Sequence, residues 1–178
     1  MKPTFWLAAA AATLADLTSK GWAQSQLEDG LTHPFIPGIL DLTLTTNRGA
    51  AFGIGRESAV LMTVLALIIF LALLIWIWKR ELSAKQPGWL ERLGAALLTG
   101  GALGNICERL ACGHVTDFLE FAFVSFPIFN LADIFIDIGV ALILASHLFP
   151  MAKAAGQPNS AASKATLAGS SHEPDEDN

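Results

Sequence analysis

The chain has 178 residues, 53% of them hydrophobic and 15% charged, and a mean hydropathy of +0.50; soluble domains carry roughly 25% charged residues. Several apolar runs approach the ~20 residues that span a bilayer, which excludes a soluble enzyme, a disordered chain and a disulfide-stapled secreted domain. The net charge of -5 comes without the clustered Lys and Arg of a nucleic-acid binder. What remains is a small multi-span membrane protein.

Four spans are expected, over about residues 5–22, 58–78, 93–110 and 128–149. The first has a short apolar stretch, Phe5–Ala15, followed by Asp16, Thr18, Ser19 and Lys20. With Lys2 ahead of it and Ala23 behind, it also fits a cleavable signal peptide. In the connector 23–57, Leu40, Leu42 and Leu44 alternate with Asp41, Thr43 and Thr45, which is strand periodicity. The second span, Ser58–Trp78, carries no charge and ends in Trp76 and Trp78 as interfacial anchors. The third, Leu93–Leu110, is rich in small residues, with Gly100 and Gly104 spaced for close helix packing. Val115–Phe126 is again β-rich, so a small sheet is expected on the outer membrane surface. The fourth span, Ile128–Phe149, is interrupted by Asn130, Asp133, Asp137 and His147. The tail, 151–178, holds Ala, Ser, Gly and Pro with almost no large apolar residue and reads as disordered. Cys107 and Cys112 are five apart, so on one helix they face away from each other; a disulfide requires the helix to end between them.

Lys79, Arg80, Lys85 and Arg92 lie in the connector after the second span, and Lys2, Lys153 and Lys164 flank the termini. Keeping these cations inside leaves both termini cytoplasmic and segments 23–57 and 111–127 outside. Asp16 and Lys20 then lie at the outer end of span one, Asn105, Glu108 and Arg109 at that of span three, and Asn130 and Asp133 in the first turns of span four. With a helix start near Ile128, Asp133 lies ~8 Å below it. Span two contributes nothing to this layer. Ionisable groups within spans are costly and face a bundle interior or a water cavity, so the layer is a functional-site hypothesis.

The chemistry available is a carboxylate pair. Asp117 lies just past span three and Asp133 just inside span four, at one level. Two close carboxyl groups cannot both ionise cheaply and hold a shared proton. One can then deprotonate a water while the other protonates the carbonyl oxygen of a scissile amide. Blander roles stay open at this point. Arg109 pairs equally well with either carboxylate or with Asp16, and Asn47 fits a turn residue ahead of Gly49. The run Gly100–Gly104 fits helix packing, and Cys107 fits a small apolar filler. Asp137, one turn below Asp133 on the same face, fits the second member of the dyad, a polar passage or half of a proton relay. His114 is near Asp117, but no serine or cysteine has a claim as nucleophile beside it.

Five motifs in order resemble the lipoprotein signal peptidase (signal peptidase II) family, the bacterial aspartic peptidases that cleave prolipoproteins. They are Asp16 with Lys20; Asn47-Arg48-Gly49-Ala50-Ala51-Phe52; Gly100-Gly101-Ala102-Leu103-Gly104-Asn105 through Arg109; Gly113-His114-Val115-Thr116-Asp117-Phe118; and Phe129-Asn130-Leu131-Ala132-Asp133. The resemblance implies a four-transmembrane-helix bundle with a small extracytoplasmic β-cradle, one membrane peptidase unit over 1–150, and an uncleaved first span. It implies Asp117 and Asp133 as the catalytic dyad, with Asp16, Asn47, Asn105, Arg109 and Asn130 shaping the site. The implied protein is an aspartic endopeptidase of the bacterial inner membrane, working near the outer leaflet; four spans with small-residue faces can close on themselves, which favours a monomer, and water activated by a carboxylate needs no metal or cofactor. Its substrate is a precursor whose cysteine already bears diacylglycerol, cut just before that cysteine, with the extended peptide held by strand addition to the sheet. Glu108 stands where the family commonly has Asp, and Asp137 lies outside the pattern.

The alternative is a small ion- or proton-translocating protein using Asp133, Asp137 and Arg109. Such a path requires polar residues on both sides of the midplane, and the inner halves of the spans are apolar apart from His147. A third class, a scaffold that only binds lipidated proteins, predicts binding without cleavage.

Overall fold

A computed structural model describes residues 2–49, 59–84 and 86–149. The chain runs α1 (Pro3–Gln26), β1 (Thr32–Ile36), β2 (Leu40–Asn47), α2 (Ala59–Leu82), α3 (Trp89–Cys112), β3 (Val115–Phe121) and α4 (Leu131–Leu148). It is thus mostly helical with one three-stranded sheet. The tail at 151–178, the Ala50-Ala51-Phe52 end of the second motif, Ser58 and Lys85 lie outside the described residues.

Helix boundaries have local causes. Pro3 opens α1 in its first turn, where a missing N–H costs nothing. Gly113 ends α3 with φ 75°, a left-handed conformation natural only to glycine, and its N–H returns to the Arg109 carbonyl. Asn130 opens α4 in a reciprocal cap: its side chain accepts from the Asp133 N–H while the Asp133 carboxylate accepts from the Asn130 N–H. The helix therefore starts at Leu131, not near Ile128, and Asp133 lies in its first turn, ~3 Å along the axis from the first helical residue and not ~8 Å.

Helix α3 is central and packs against α1, α2 and α4. Its glycines make two separate close approaches. A Cβ at Gly100 would lie 2.5 Å from the Ala9 carbonyl of α1, and one at Gly104 would strike the Asp16 carboxylate. On the other flank, a Cβ at Gly101 would lie 2.5 Å from the Ala132 carbonyl and one at Gly94 2.6 Å from that of Gly139, both in α4. The small-residue run thus brings two neighbours to backbone contact, as its spacing predicts. Cys107 and Cys112 both fall on this continuous helix and are free thiols.

The molecule is turned inside out relative to a water-soluble one. Leu7, Leu14, Val60, Ile68, Ile69 and Leu144 are exposed, whereas Asp16, Lys20, Glu108 and Asn130 are buried. Two helices, over Val60–Leu82 and Leu131–Leu148, are long and apolar enough to cross a membrane. Of the four expected spans, those of α1 and α3 fall short of that measure because they carry charged residues: Asp16 and Lys20 on one, Glu91, Arg92, Glu108 and Arg109 on the other. At the end remote from Asp133, Arg80 pairs with Glu91 and Arg92 with Glu81, each at 2.8 Å, locking α2 to α3.

The sheet has order β1-β2-β3 with antiparallel pairs. The register shifts between Leu42 and Thr45, so Leu42 and Thr43 are both buried and the expected leucine alternation does not persist. Strand β1 was not expected from the sequence: all five of its residues are exposed, and Pro34 interrupts it. Strand β3 stops at Phe121, well short of Phe126, and Phe129 folds back to exchange backbone hydrogen bonds with Leu119. That closes part of the free edge of β3, the edge strand addition beside Asp117 would use.

Candidate active site

Three residues of one α1 face, Asp16, Lys20 and Gln24, follow the i, i+4, i+8 spacing and point at α3. The Lys20 ammonium is 2% exposed and sits among three oxygens: Asp16 Oδ2 at 2.8 Å, Glu108 Oε2 at 3.3 Å and Asn105 Oδ1 at 2.7 Å. Asp16 reaches on to α4, where its Oδ1 accepts from the Ala132 N–H at 2.9 Å. A carboxylate at a helix N-terminus is favourably placed against the helix dipole. Asp16 therefore pairs with Lys20, not with Arg109.

Glu108 extends this cluster to the sheet. Its carboxylate accepts from the Thr116 hydroxyl, from the Thr116 N–H at 3.0 Å and from Gln24 Nε2 at 3.2 Å. Gln24 also donates to the Thr116 hydroxyl at 2.6 Å. Thr116 and Gln24 are supporting residues with no role assigned from the sequence, although Thr116 stands inside the fourth motif. For Gln24 the signal was present, since it is one turn beyond Lys20 on the same face; for Thr116 it was not, since nothing local links it to Glu108.

Asp117, the next residue on β3, is 2% exposed, and each of its oxygens takes an amide. Asn130 Nδ2 donates to Oδ1 at 2.6 Å and Asn47 Nδ2 to Oδ2 at 2.9 Å. Asn47 is also a turn residue, its Oδ1 accepting from the Gly49 N–H at 3.0 Å. Asp133 is held likewise, Oδ1 by Asn105 Nδ2 at 3.1 Å and Oδ2 by the Asn130 N–H at 3.1 Å. Asn130 thus touches both carboxylates, and its Nδ2 also lies 3.3 Å from Asn105 Oδ1. The structure brings together Asp16, Asn47, Asn105, Asp117, Asn130 and Asp133 in one continuous network.

Asp117 and Asp133 open onto a cavity of about 400 Å³. Asn47, Arg109 and Asp137 share its lining, as do Phe121, Phe126, Ile128, Phe129, Ile134 and Ile138. Arg109 lies within electrostatic reach of Asp133 and Asp117. His114 stays out of the cavity lining; its Nδ1 lies 3.0 Å from the Cys112 carbonyl oxygen. Burial is the main cause that raises the Asp117 pKa to about 6, and the Asp133 charge adds to it; the Asn47 and Asn130 amides oppose the shift. Among the described residues no three His, Cys, Asp or Glu side chains gather as a metal site.

An apolar exterior, two helices long and apolar enough to cross a membrane, and a buried polar network that opens through two carboxyl groups onto a largely apolar cavity describe a helical membrane protein with a polar site. Residues 8–149 match the family model described as signal peptidase (SPase) II. The lipoprotein signal peptidase of Gloeobacter violaceus is 39% identical over 146 residues, covering 82% of this chain and 82% of that protein. That of Synechocystis sp. is 39% identical over 150 residues, 84% of this chain and 90% of its own. A bacterial membrane enzyme solved by the in meso method at 2.3 Å resolution superposes with a TM-score of 0.74 at 30% identity, covering 88% of this chain and 94% of that one. A second, at 1.9 Å, gives a TM-score of 0.72 at 32% identity, with coverage of 82% and 93%. The chain belongs to the signal peptidase II family.

Proposed function

We propose that this protein is an aspartic endopeptidase that removes the signal peptide from diacylglyceryl-modified prolipoproteins, cutting before the lipidated cysteine. Asp117 and Asp133 carry the reaction. The observation that carries this reading is their arrangement: two carboxyl groups on different elements, bridged by Asn130, each oxygen already oriented by an amide donor, both facing one cavity. Asp117 holds its proton up to about pH 6 and is the acid. Asp133 takes a proton from water as the water attacks the scissile carbonyl, and Asp117 protonates the carbonyl oxygen. As the resulting gem-diol collapses and the C–N bond breaks, Asp133 passes its proton to the departing amine and Asp117 takes one back from a hydroxyl, which restores the starting state. Donors fixed before the substrate arrives cost no reorganisation during the reaction.

In this reading all four helices cross the bacterial inner membrane as a bundle, residues 1–150 form one unit, and both termini are cytoplasmic. The polar network then lies at the outer leaflet, where acyl chains hold a lipidated substrate. The apolar cavity wall of Phe121, Phe126, Ile134 and Ile138 faces those chains, and Asn47 and Arg109 face the peptide. The small-residue face of α3 lets the bundle close on itself, which supports a monomer. The chemistry calls for neither metal nor cofactor, because a carboxylate activates the water.

The test is incubation of the purified protein in proteoliposomes with a diacylglyceryl-modified precursor and with its unmodified form, the products mapped by mass spectrometry. The modified precursor is expected to yield a fragment beginning at the lipidated cysteine and the unmodified one to stay intact. Cleavage elsewhere, or equal cleavage of both, would contradict the proposal.

A further inference from the structure

Asp137 is the carboxylate of the cavity that the mechanism leaves unused. Both oxygens of Asp117 and of Asp133 accept hydrogen bonds, whereas the Asp137 carboxylate has neither a hydrogen bond nor an ion pair among the described residues. It is exposed, lines the same cavity, and lies between Ile134 and Ile138 in a helix apolar enough to cross a membrane. A carboxylate in such a segment persists where it meets water or a polar partner. One helical turn, ~6 Å along α4, separates it from Asp133 on the inward side.

A substrate supplies the partner. Attack on a peptide bond requires the backbone around it to leave the helix, which frees N–H groups that the apolar segment had satisfied internally. Membrane-depth backbone in that state is tolerated only against polar protein groups or water. Of the other polar side chains in the lining, Arg109 can only donate and Asn47 Oδ1 already accepts from the Gly49 N–H, which leaves the Asp137 carboxylate as the acceptor on offer at the inward level. The signal-peptide side of the cut points inward, and extended chain advances ~3.3 Å per residue, so ~6 Å corresponds to two residues.

We propose that Asp137 is a substrate-positioning residue: its carboxylate accepts the backbone N–H of the unwound signal peptide about two residues before the cut. The proposal rests on the peptidase reading above. It is separable from it by a cycle that uses diacylglyceryl-modified precursor peptides in proteoliposomes. One peptide is all-amide; in each of the others one of the four amides before the cut is replaced by an ester, which removes a single N–H. With the parent protein, the ester two residues before the cut raises KM about tenfold, the range of one hydrogen bond to a charged group. Asp137→Leu raises KM for the all-amide peptide by a similar factor with kcat changed less than about threefold, and in that variant the same ester adds nothing. Asp137→Asn, which keeps an acceptor oxygen, recovers most of the loss.

Three results would overturn the inference. One is Asp137→Leu matching the parent on every peptide. Another is independence of the Asp137→Leu and ester effects at all four positions. The third is a collapse of kcat at unchanged KM in both Leu and Asn variants, which would make Asp137 a proton carrier. Failure of the parent itself to cleave any of the peptides would instead overturn the peptidase reading, and this inference with it.

Discussion

Replacing Lys20 with methionine removes the cation at the centre of the polar network while keeping the aliphatic stem. The ammonium is 2% exposed and ion-paired to Asp16 at 2.8 Å and Glu108 at 3.3 Å. The consequences for the two carboxylates differ. Glu108 keeps the Thr116 hydroxyl, the Thr116 N–H and Gln24. Asp16 keeps only the Ala132 N–H, on Oδ1, and its Oδ2 is left buried against Gly104. Breaking a buried pair from one side costs about 3–5 kcal/mol, because a charge stays behind without compensation. For a chain of this size each kcal/mol moves the melting point by about 2–4 °C, so Lys20→Met should lower it by roughly 10 °C. Tryptophan fluorescence during heating in detergent measures this. Asp16→Asn added to Lys20→Met removes the stranded charge and should restore about half of the loss. A shift under about 2 °C for the single variant, or strict additivity in the double, would refute the argument that the pair is coupled.

Further consequences follow from the same geometry. In the proposed mechanism the dyad works with one proton between its two carboxyl groups, so activity should be lost as that proton leaves. The profile of kcat/KM against pH should therefore fall on its alkaline side with a midpoint near the Asp117 value of about 6, a property of the pair as a whole. Asn47→Ala removes a donor that favours ionised Asp117, so that midpoint should move upward; a downward shift would contradict the assignment. Gly101→Ala would set a Cβ 2.5 Å from the Ala132 carbonyl and displace the first turn of α4, which carries Asp133. A loss of roughly 1–3 kcal/mol in stability, with a fall in kcat beyond what the unfolded fraction explains, is the expected outcome in melting and cleavage assays. Glu108→Gln keeps one oxygen for the Thr116 N–H and turns the hydroxyl contact into an amide donor, at the loss of the Gln24 bond; Lys20 stays paired with Asp16, so it should cost less stability than Lys20→Met in the same melting assay.

The four helices and their order were legible in the sequence, but only α2 and α4 are long and apolar enough to cross a membrane, because α1 and α3 carry charged residues that lower their hydropathy. Also legible was the meeting of Asp117 with Asp133, which the ordered motifs implied and the hydrogen bonds through Asn130 account for. The start of α4 was misjudged, although Asn130-Leu131-Ala132-Asp133 carries a cap signal in its own spacing: an Asn followed three residues later by an acid at a helix start. The sheet was legible only in part. Strand β1 has no buried face and hence no alternation to detect, and the irregularity between Leu42 and Thr45 reverses the pattern within β2. Glu108 showed itself as a departure in the third motif, yet its reach to Thr116 on β3 depends on how α3 turns at Gly113, which no local pattern encodes. Of the three carboxylates the sequence left open to Arg109, Asp16 is taken by Lys20, one turn away on the same helix, and Asp117 and Asp133 are the two within its electrostatic reach.

The central claim is that two carboxyl groups, Asp117 and Asp133, perform the hydrolysis. Its most direct test is single-turnover cleavage of a diacylglyceryl-modified precursor by the parent, Asp117→Asn and Asp133→Asn, each verified as folded by its melting curve. The account predicts that each substitution lowers the rate by about 10²–10⁴-fold, the usual contribution of a positioned acid or base, while precursor binding persists. Parent-like cleavage by either folded variant would contradict it.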